Sequence, residues 1–506
     1  MKARLMYADG DVDVNAAPPR NEEALIFDLE LQHLFAAMAR SDKFLLNVAH
    51  SVVLHSLEEP KQITYRQDIL RDCLAEPTVV REVYALVEET LQRQRKEFWL
   101  GATASRPEAV VYRSVQLLKM FMQQLARLRA IAVEHRDRFH STGMTTLFTT
   151  LVTELDDAYV VEFEEHLSQL RFRLGTRMSA RLGRGNEGTD YVLHKVTRRS
   201  WRERVFGHPA NSYVKQIAER DITGLDALGE IRDRGLRAVA GALGQSTQHI
   251  VDFFTVLHTE IAFYIGCLNL HETLGAKAHP TCFPEPVAAG RPTMSAAGLY
   301  DPCLSLLTDE AIVGNDVYAE DISVIFITGA NRGGKSTLLR GIGIAQLMMQ
   351  SGMFVPAVSF RGDVRHLLFT HFKREEDPMM TRGKLDEELD RMSDIVDQIT
   401  PGSFLLCNES FALTNEREGS QIATEIVATM RETGIKVVYV THMYELAHGF
   451  HDERRNDTLF LRAQRGDNRA RTFLVTEGEP LPTSYGADIY ERVFGAPPSV
   501  GHRPSS

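Results

Sequence analysis

The chain has 506 residues, of which 43% are hydrophobic and 25% charged, an ordinary globular composition with room for about two to four domains. A net charge of −11 argues against a basic, nucleic-acid-coating surface over the whole protein. Residues 1–20 lack the apolar core of a signal peptide, and no apolar run approaches membrane-span length. The five cysteines follow no disulfide or metal-binding spacing, so we expect a cytoplasmic protein without a membrane segment.

The amino-terminal half predicts mainly helices. Residues 1–22 are expected to form a flexible tail, and residues 21–97 show apolar side chains at three- and four-residue spacing. Two further helical stretches are predicted over Val110–Phe139 and Thr247–Leu274. Their length and their separation in sequence suggest an antiparallel pair of lever helices, although the core of a helical domain would give the same pattern.

A basic insertion at about residues 170–215 interrupts this helical region. Two alternating segments, Arg177–Leu182 and Tyr191–Val196, flank the turn Gly183–Gly188 and predict a β-hairpin. Between Arg171 and Arg204 there are ten Lys or Arg residues and three acidic ones. The hairpin could contact nucleic-acid phosphates, or it could simply be a solvated polar hairpin. The candidate contact residues are Arg177, Arg181, Arg184, Lys195, Arg198 and Arg199.

The carboxyl-terminal half has a different pattern. Prolines at 280, 284, 286 and 292 indicate a linker, after which apolar strands alternate with helical segments. The predicted strands are Ile322–Ile327, Phe404–Cys407, Val437–Val440 and Thr472–Val475. This alternation predicts a mostly parallel sheet, so the whole chain is expected to be α + α/β.

The most informative motif lies directly after the first of these strands. Residues Gly329–Ser336 read G-x-x-x-x-G-K-S and are followed by a helical pattern. In such a loop, main-chain N–H groups cradle a polyphosphate, the lysine reaches the β- and γ-phosphates, and the serine hydroxyl binds Mg²⁺. We therefore predict ATP and Mg²⁺ as ligands. The predicted ATP-binding residues are Gly329, Ala330, Asn331, Arg332, Gly333, Gly334, Lys335, Ser336 and Thr337.

Two strand ends downstream supply candidate catalytic groups. Asn408 and Glu409 follow an apolar strand, where P-loop enzymes usually carry Asp and Glu. Asn408 is expected to support the metal with an amide in place of a carboxylate, and Glu409 to act as the general base. His442 ends the next buried strand and is predicted to sense the γ-phosphate. The stretch Thr414–Gly419 is expected to form a loop facing a dimer partner.

Together these segments resemble the MutS family of DNA mismatch-repair ATPases, within the wider ABC-type class. Its T-G-x-N-x-G-G-K-S-T pattern is present as Thr328–Thr337, its T-H-x-x-E-L motif resembles Thr441–Leu446, and its S-Y-G resembles Ser484–Gly486. Gly352–Ala357 is similar to the segment after the P-loop helix, and Ile63–Gln67 to an Arg-Gln element of the helical core. The resemblance is strong over residues 295–495 and weak over residues 23–290.

Several features depart from the family pattern. The mismatch-reading domain with its Phe-x-Glu wedge is not found, and Gly383–Met392 lacks the Ser-Thr pair that reaches the partner's γ-phosphate. Ile312 stands where an adenine-stacking aromatic is usual, and Asp488 stands where a His is common. These departures concern ATP preference and activation by the partner subunit, and they leave the phosphate-binding loop unchanged.

The resemblance implies a homodimeric ATPase that switches a clamp on DNA, without mismatch readout. It implies a flexible tail over 1–22, a helical core and lever domain over 23–290, an ATPase domain over 291–495 and a disordered tail over 496–506. Asn408 leads us to expect slow turnover. Alternatives are a nucleotide-gated scaffold with little hydrolysis and a MutS-like ATPase that binds structured RNA or a ribosome-like particle.

Overall fold

The computed structural model describes residues 2–13, 16–99, 106–170, 177–186, 188–194, 216–218, 220–374, 383–412, 415–465 and 471–482. Several predicted features lie outside these ranges. They are the nucleic-acid contacts Lys195, Arg198 and Arg199, the residue Thr414, the Ser484–Gly486 motif, Asp488 and the tail over residues 496–506. Two compact units divide the chain. We call residues 1–5 and 76–261 the helical unit, and residues 6–75 and 262–506 the sheet unit. The predicted boundaries at 22, 290 and 495 stay predictions, although these contacts group residues 6–75 with the carboxyl-terminal part.

The helical unit is built from long helices and one hairpin. Its elements are α5 (Pro77–Trp99), α6 (Pro107–His135), α7 (Thr142–Glu154), α8 (Asp157–Gln169), strands β1 (Arg177–Leu182) and β2 (Gly188–His194), and most of α9 (Ile222–Ala276). The predicted hairpin is confirmed, because β1 and β2 pair antiparallel, with Arg177 opposite His194. Helix α9 begins at Ile222 rather than Thr247, since five glycines before residue 245 weaken the apolar period on which the prediction rested.

The predicted antiparallel pairing of α6 with α9 is wrong. Glu108 pairs with Arg232 at 2.6 Å, and Phe121 stacks on Phe254 further along both helices. Contacts that advance together along both helices mean that α6 and α9 run in the same direction. The antiparallel partner of α6 is α5, because Arg127 contacts Glu89 at 3.2 Å and Arg138, just beyond α6, contacts Glu76. The short connection between α5 and α6 explains this choice.

Among the described helices, α9 alone is long and apolar enough to cross a membrane by length and composition. However, 72% of its most apolar 18-residue window is buried inside the protein. That degree of burial is typical of a core helix.

The described residues of the sheet unit form two sheets. Its helices are α1 (Glu22–Asp28), α2 (Leu31–Ala39), α3 (Lys43–Leu54), α4 (Pro60–Ala75), α10 (Pro302–Leu307), α11 (Lys335–Gln350), α12 (Lys384–Val396), α13 (Glu416–Glu432) and α14 (Tyr444–Asp452). Its strands are β3 (Glu285–Val287), β4 (Thr293–Leu299), β5 (Asn315–Glu320), β6 (Val324–Thr328), β7 (Ser359–Asp363), β8 (Leu368–Phe372), β9 (Phe404–Asn408), β10 (Lys436–Val440), β11 (Thr458–Arg465) and β12 (Arg471–Glu477).

The larger sheet has the order β12-β11-β6-β10-β9-β8. All its neighbours are parallel except β12, which forms an antiparallel pair with β11. Strands β6, β8 and β10 are buried throughout, as expected for a parallel sheet covered on both faces. The predicted α + α/β class with a mostly parallel sheet is therefore confirmed. The carboxyl ends of β6, β9 and β10 lie at one edge.

The smaller sheet, ordered β3-β7-β4-β5, was not predicted. The linker predicted at the four prolines is therefore wrong, because β3 lies among these prolines and pairs parallel with β7. Just before it, Cys282 and Val355 exchange both main-chain hydrogen bonds, at 3.1 and 2.8 Å. Proline is tolerated on such edge strands, so the prolines did not indicate an unstructured segment here.

The amino-terminal segment is also more ordered than predicted. Leu5 and Met6 are fully buried, which a flexible tail would not allow. The Leu5 N–H donates to the Glu260 carboxylate at 2.7 Å, and the Met6 carbonyl accepts from Arg66 Nε at 3.0 Å. Arg66, from the predicted Arg-Gln element, is 1% exposed and packs against Gly352, where a Cβ would lie 2.4 Å from Arg66 Cβ. Two of the family-like segments thus meet inside the sheet unit.

Candidate nucleotide-binding site

The loop Gly329–Gly334 connects β6 to α11 in the predicted order of strand, loop and helix. Gly329 and Gly334 have φ angles of 110° and 93°, which favour glycine. A Cβ at Gly334 would also lie 3.1 Å from the Phe473 carbonyl oxygen, so the β11–β12 pair closes against the loop. The first turn of α11 therefore presents main-chain N–H groups at the carboxyl edge of the sheet, where an anion is favoured.

Lys335 is the first residue of α11 and is only 4% exposed. Its Nζ donates to the carbonyl oxygens of Gly329 and Ala330, at 2.9 and 3.1 Å. Burial lowers the pKa of Lys335, and the charge of Glu409 partly opposes this. The described surroundings thus give this ammonium neutral hydrogen-bond partners, and a bound anion would offset its desolvation.

Ser336 and Asn408 meet although β6, which precedes the loop and helix of Ser336, is not a neighbour of β9, which ends at Asn408. The Ser336 hydroxyl donates to Asn408 Oδ1 at 2.9 Å, across the end of β10, which separates β6 from β9. Asn408 is the last residue of β9, and its main-chain carbonyl accepts from Lys373 N–H at 2.9 Å. Two side-chain oxygens therefore lie together beside the loop.

Glu409 and His442 also lie at this edge. Their Oε1 and Nδ1 atoms are 3.8 Å apart, longer than a direct hydrogen bond, so the contact is mainly electrostatic. His442 is the first cause of a lowered pKa for Glu409, burial opposes it, and Lys335 and Lys373 contribute further. Glu409 is therefore a carboxylate at neutral pH, as a group that accepts a proton must be.

The backbone holds these two side chains in place. Glu409 has a φ of 52°, unusual for a non-glycine residue, and its N–H donates to the Val440 carbonyl at 2.9 Å. After His442, the Met443 N–H donates to Thr441 Oγ1 at 2.9 Å, and the Tyr444 N–H donates to the Glu416 carboxylate at 2.9 Å. Glu416 lies in the stretch predicted to form a loop facing a dimer partner, but it instead begins helix α13, and its side chain anchors the start of α14.

A cavity of about 350 Å³ opens on the other side of the loop, between Arg332, Gly334 and Thr337 and the residues Ile312, Val313 and Phe473. Asn315 holds Phe473 there, since its amide donates to the Phe473 carbonyl at 3.3 Å and its Oδ1 accepts from Val475 N–H at 2.7 Å. Sequence reasoning missed this aromatic ring and noted only that Ile312 replaces one. Phe473 reaches the cavity through the β11–β12 pairing, which no local pattern revealed.

Comparison with known proteins agrees with this geometry. The MutS2 N-terminal domain family matches residues 58–277, and the MutS domain V family matches residues 325–503. The two matches cover most of both units. The chain belongs to the MutS family.

Several curated MutS-family proteins are similar in sequence. The DNA mismatch repair protein MutS of Thermotoga neapolitana is 31% identical over 218 residues, which are 42% of this chain and 27% of that protein. The DNA mismatch repair protein msh3 of Aspergillus terreus is 25% identical over 54% of this chain and 25% of its own length. Endonuclease MutS2 of Streptococcus uberis is 33% identical over 26% of this chain and 18% of its own length. The matched parts thus amount to about a quarter or less of these relatives.

The segment that departs from the MutS pattern forms the start of α12. Where the Ser-Thr pair is missing, Glu388 is 3% exposed, and its Oε2 accepts from Phe411 N–H at 2.9 Å. Phe411, with a φ of 60°, lies two residues after Glu409. Glu388 thus supports the turn that carries Glu409, a role that the sequence pattern did not indicate.

The basic hairpin presents three of the predicted nucleic-acid contacts. Arg177, Arg181 and Arg184 are exposed, and Arg181 is 3.9 Å from Asp190. The hairpin packs on α9, since a Cβ at Gly235 would lie 2.0 Å from Met178 Sδ and Arg234 lies over the Tyr191 ring. The arginines are therefore available to solvent on a supported hairpin, which fits both alternatives left open by the sequence.

Proposed function

We propose that this MutS-family chain binds and hydrolyses Mg²⁺–ATP at the Gly329–Thr337 loop and thereby switches its hold on DNA. The observation that carries the proposal is the meeting of Lys335, Ser336, Asn408, Glu409 and His442 at one sheet edge. These five side chains come from the ends of two strands, β9 and β10, and from the start of one helix, α11. General stability does not require such a set of groups at a single edge, whereas phosphoryl transfer does.

The chemistry of the loop fits a polyphosphate. Lys335 is a buried ammonium whose described hydrogen bonds go to two uncharged carbonyls, so a phosphate would add the opposite charge that these acceptors lack. The start of α11 adds main-chain donors and a favourable dipole. We assign the γ-phosphate to the side of the loop that faces Glu409 and His442.

The pair Ser336–Asn408 fits a hard cation. Both side chains offer oxygen atoms, which Mg²⁺ prefers, and they already contact each other at 2.9 Å. Bound Mg²⁺ would neutralise charge on the phosphates during transfer. Because Asn408 is uncharged, it supports the metal more weakly than a carboxylate would.

Glu409 is the proposed general base. Its carboxylate orients a water molecule and accepts its proton while the water oxygen attacks the γ-phosphorus and ADP leaves. His442 lies beside it and senses the terminal phosphate, so that the position of Glu409 depends on the nucleotide state.

The cavity between Ile312 and Phe473 is the proposed site of the nucleoside. It adjoins the loop at Arg332 and Gly334, and Phe473 offers a ring face for a base. The rest of the wall combines aliphatic side chains, such as Ile312 and Val313, with the charged side chains of Arg332 and Glu310, so both apolar and polar contacts are available to the base.

DNA and a second copy of the chain are the proposed partners. DNA is supported by the names of the relatives, which are DNA mismatch repair proteins, and by the exposed arginines of the hairpin. A homodimer follows from the resemblance alone. Closure of the dimer around ATP would tighten the clamp on DNA, in repair or processing that does not read mismatches.

The decisive experiment measures Mg²⁺-dependent ATP turnover and nucleotide binding for the wild type and Glu409→Gln. We expect the variant to bind ATP normally and to lose turnover about a hundredfold, the usual contribution of a general base. Glu425→Gln, on the exposed side of α13, is the matched control and should keep full activity. Unchanged turnover in Glu409→Gln would show that this carboxylate is not the base.

Two observations favour a second function, a nucleotide-gated scaffold with little hydrolysis. Asn408 stands where a metal-binding carboxylate is expected, and the Ser-Thr pair before α12 is missing. A chain that binds ATP and changes its DNA affinity, yet shows no turnover above the Glu409→Gln background, would support this reading over an ATPase.

A further inference from the structure

A second cluster of chemically capable side chains lies at the end of α14, away from the oxygen ligands proposed for Mg²⁺. His448, His451 and Asp452 each offer one ligand atom, and these atoms all lie within 4.8 Å of one another. His448 Nε2 is 3.4 Å from Asp452 Oδ2, and His451 Nδ1 is 3.9 Å from Asp452 Oδ1. The spacing i, i+3 and i+4 explains the meeting, since it puts all three on one face of a helix.

These separations suit a tetrahedral metal. With metal–nitrogen and metal–oxygen bonds of about 2.0–2.1 Å, neighbouring ligand atoms in a tetrahedron lie about 3.4 Å apart. One contact already has that length, and rotation of the exposed Asp452 side chain could adjust the other. Since all three ligand atoms lie within 4.8 Å of one another, they would have to approach by at most about 1.4 Å to reach this spacing.

A fourth residue, Glu479, lies beside His451, just beyond β12. Its Oε1 is 3.9 Å from the other ring nitrogen, Nε2, which is longer than a direct hydrogen bond, so the hydrogen bond that would fix this ring needs the exposed Glu479 side chain to move closer. Metal-binding histidines usually donate their second ring N–H to a carboxylate, which fixes the tautomer that binds the metal. The Tyr444 ring stacks on His448 at 4.8 Å, and Phe460 packs edge-on against His451. Each imidazole thus packs against an aromatic ring, His448 against Tyr444 and His451 against Phe460.

The electrostatics of the helix end point to a cation. Asp452 is the last residue of α14, where the helix dipole is negative and disfavours a carboxylate. The described contacts of Asp452 are the two imidazoles. A divalent ion between them would offset both the dipole and the carboxylate charge.

We propose that His448, His451 and Asp452 bind a transition-metal ion of the Zn²⁺ class, with Glu479 supporting His451 from behind. Two imidazoles exclude a preference for Mg²⁺ or Ca²⁺, which favour oxygen ligands. Three protein ligands leave the fourth position to water. The bound ion would tie the segment after β12 to α14, next to the His442 turn. This site is independent of the proposed ATPase activity.

The test is a titration of the chelator-treated, tag-free full chain with Zn²⁺ by calorimetry and with Co²⁺ by visible absorption. We expect one saturable site per chain and a Co²⁺ spectrum of tetrahedral nitrogen and oxygen ligation. His451→Ala and Asp452→Asn should abolish that site. Glu479→Gln should weaken binding about tenfold, as is usual for loss of such a supporting carboxylate.

The matched control is His366→Ala. His366 forms another exposed imidazole–carboxylate pair, with Glu58 at 2.6 Å, but it belongs to no described group of three ligands. It should leave Zn²⁺ affinity unchanged. Asp452 is exposed, so Asp452→Asn tests the site even if a histidine variant were to misfold. Wild-type affinity in Asp452→Asn and His451→Ala, an octahedral Co²⁺ spectrum, or no saturable binding would each mean an adventitious ion only and overturn the proposal.

Discussion

Two buried lysines lie at opposite ends of the same parallel sheet, and their surroundings differ. Lys335 follows the carboxyl end of β6 and is 4% exposed, whereas Lys436 begins β10 at the amino end and is 2% exposed. Lys436 Nζ lies 3.7 Å from Asp363, which also pairs with Arg365. Lys335 instead donates to two main-chain carbonyls. Burial lowers the pKa of both lysines, that of Lys436 to about 7.

The comparison shows that burial and a shifted pKa do not by themselves indicate function. Both lysines have these properties, but the charge of Lys436 is balanced by a carboxylate within the fold. The nearest charge acting on Lys335 is that of Glu409, which we assign to catalysis. A buried ammonium with neutral partners at the carboxyl edge of a parallel sheet is the one expected to bind an anion.

The largest expected effect separates the two lysines by activity. Lys335→Ala should reduce ATP turnover at least about a hundredfold, because it removes the ammonium charge that stabilises the phosphate during transfer. Lys436→Met should keep turnover within about threefold of wild type, since it lies at the opposite edge. Steady-state phosphate release at saturating Mg²⁺–ATP measures both. Equal losses in the two variants would show that turnover falls because each substitution destabilises the fold, and not because Lys335 contacts the phosphate.

The next effect concerns stability and pH. Between the pKa of Lys436 in the fold, about 7, and its unfolded value, about 10.4, the unfolded chain binds more protons. The contribution of Lys436 to the free energy of unfolding therefore rises with pH across that window. Relative to Lys436→Met, the wild type should gain at most about 2 kcal/mol between pH 7.5 and pH 9.

Urea unfolding of both proteins at the two pH values measures this difference, and groups common to both cancel. Asp363 keeps Arg365 as its partner in the variant, so no isolated carboxylate is created. A constant difference between the two proteins would mean that Lys436 is protonated throughout and that the pKa shift is absent.

Much of the candidate site could be predicted because its parts follow local rules. Gly329–Ser336 needs a strand before it and a helix after it, and Asn408 and His442 needed only the inference that parallel strands end at one edge. Glu388 and Phe473 could not be found in this way. Glu388 acts through the N–H of a residue 23 positions later, and Phe473 depends on the pairing of two strands around a connection.

The fold was predictable to a similar extent. Apolar periodicity gave the helices before residue 140 and the buried strands, whose patterns are strong. It failed where the cause is non-local, as at β3, whose prolines are tolerated only because the strand pairs with β7. The antiparallel partner of α6 was predicted wrongly for a local reason. The prediction relied on the length of α9, whereas the short connection between α5 and α6 makes these two helices antiparallel neighbours.

Asn408 offers a smaller and opposite effect, a gain of activity. Asn408→Asp would place a carboxylate beside Ser336, at the position of the amide oxygen that now accepts from it at 2.9 Å. Because charge-assisted contacts are about twice as strong as neutral ones, turnover should rise about fivefold, with a lower Mg²⁺ requirement. Asn408→Ala, which removes the oxygen, should have the reverse effect. A faster Asn408→Ala, or no change in Asn408→Asp, would exclude Asn408 from metal support.

The smallest effect extends the comparison to a cation that is not buried at all. Arg184 is exposed at the turn of the basic hairpin, where water already satisfies its charge, so a phosphate can replace only counterions. Arg184→Ala should lower the slope of log affinity against log salt concentration by about 0.9, which between 50 and 200 mM salt is about a threefold change. Glu82→Gln, an exposed acidic position on α5, should leave the slope unchanged. Binding of duplex DNA measured by anisotropy across that range decides the matter. An unchanged slope in Arg184→Ala would favour the solvated polar hairpin, because an arginine that releases no counterion does not touch a phosphate.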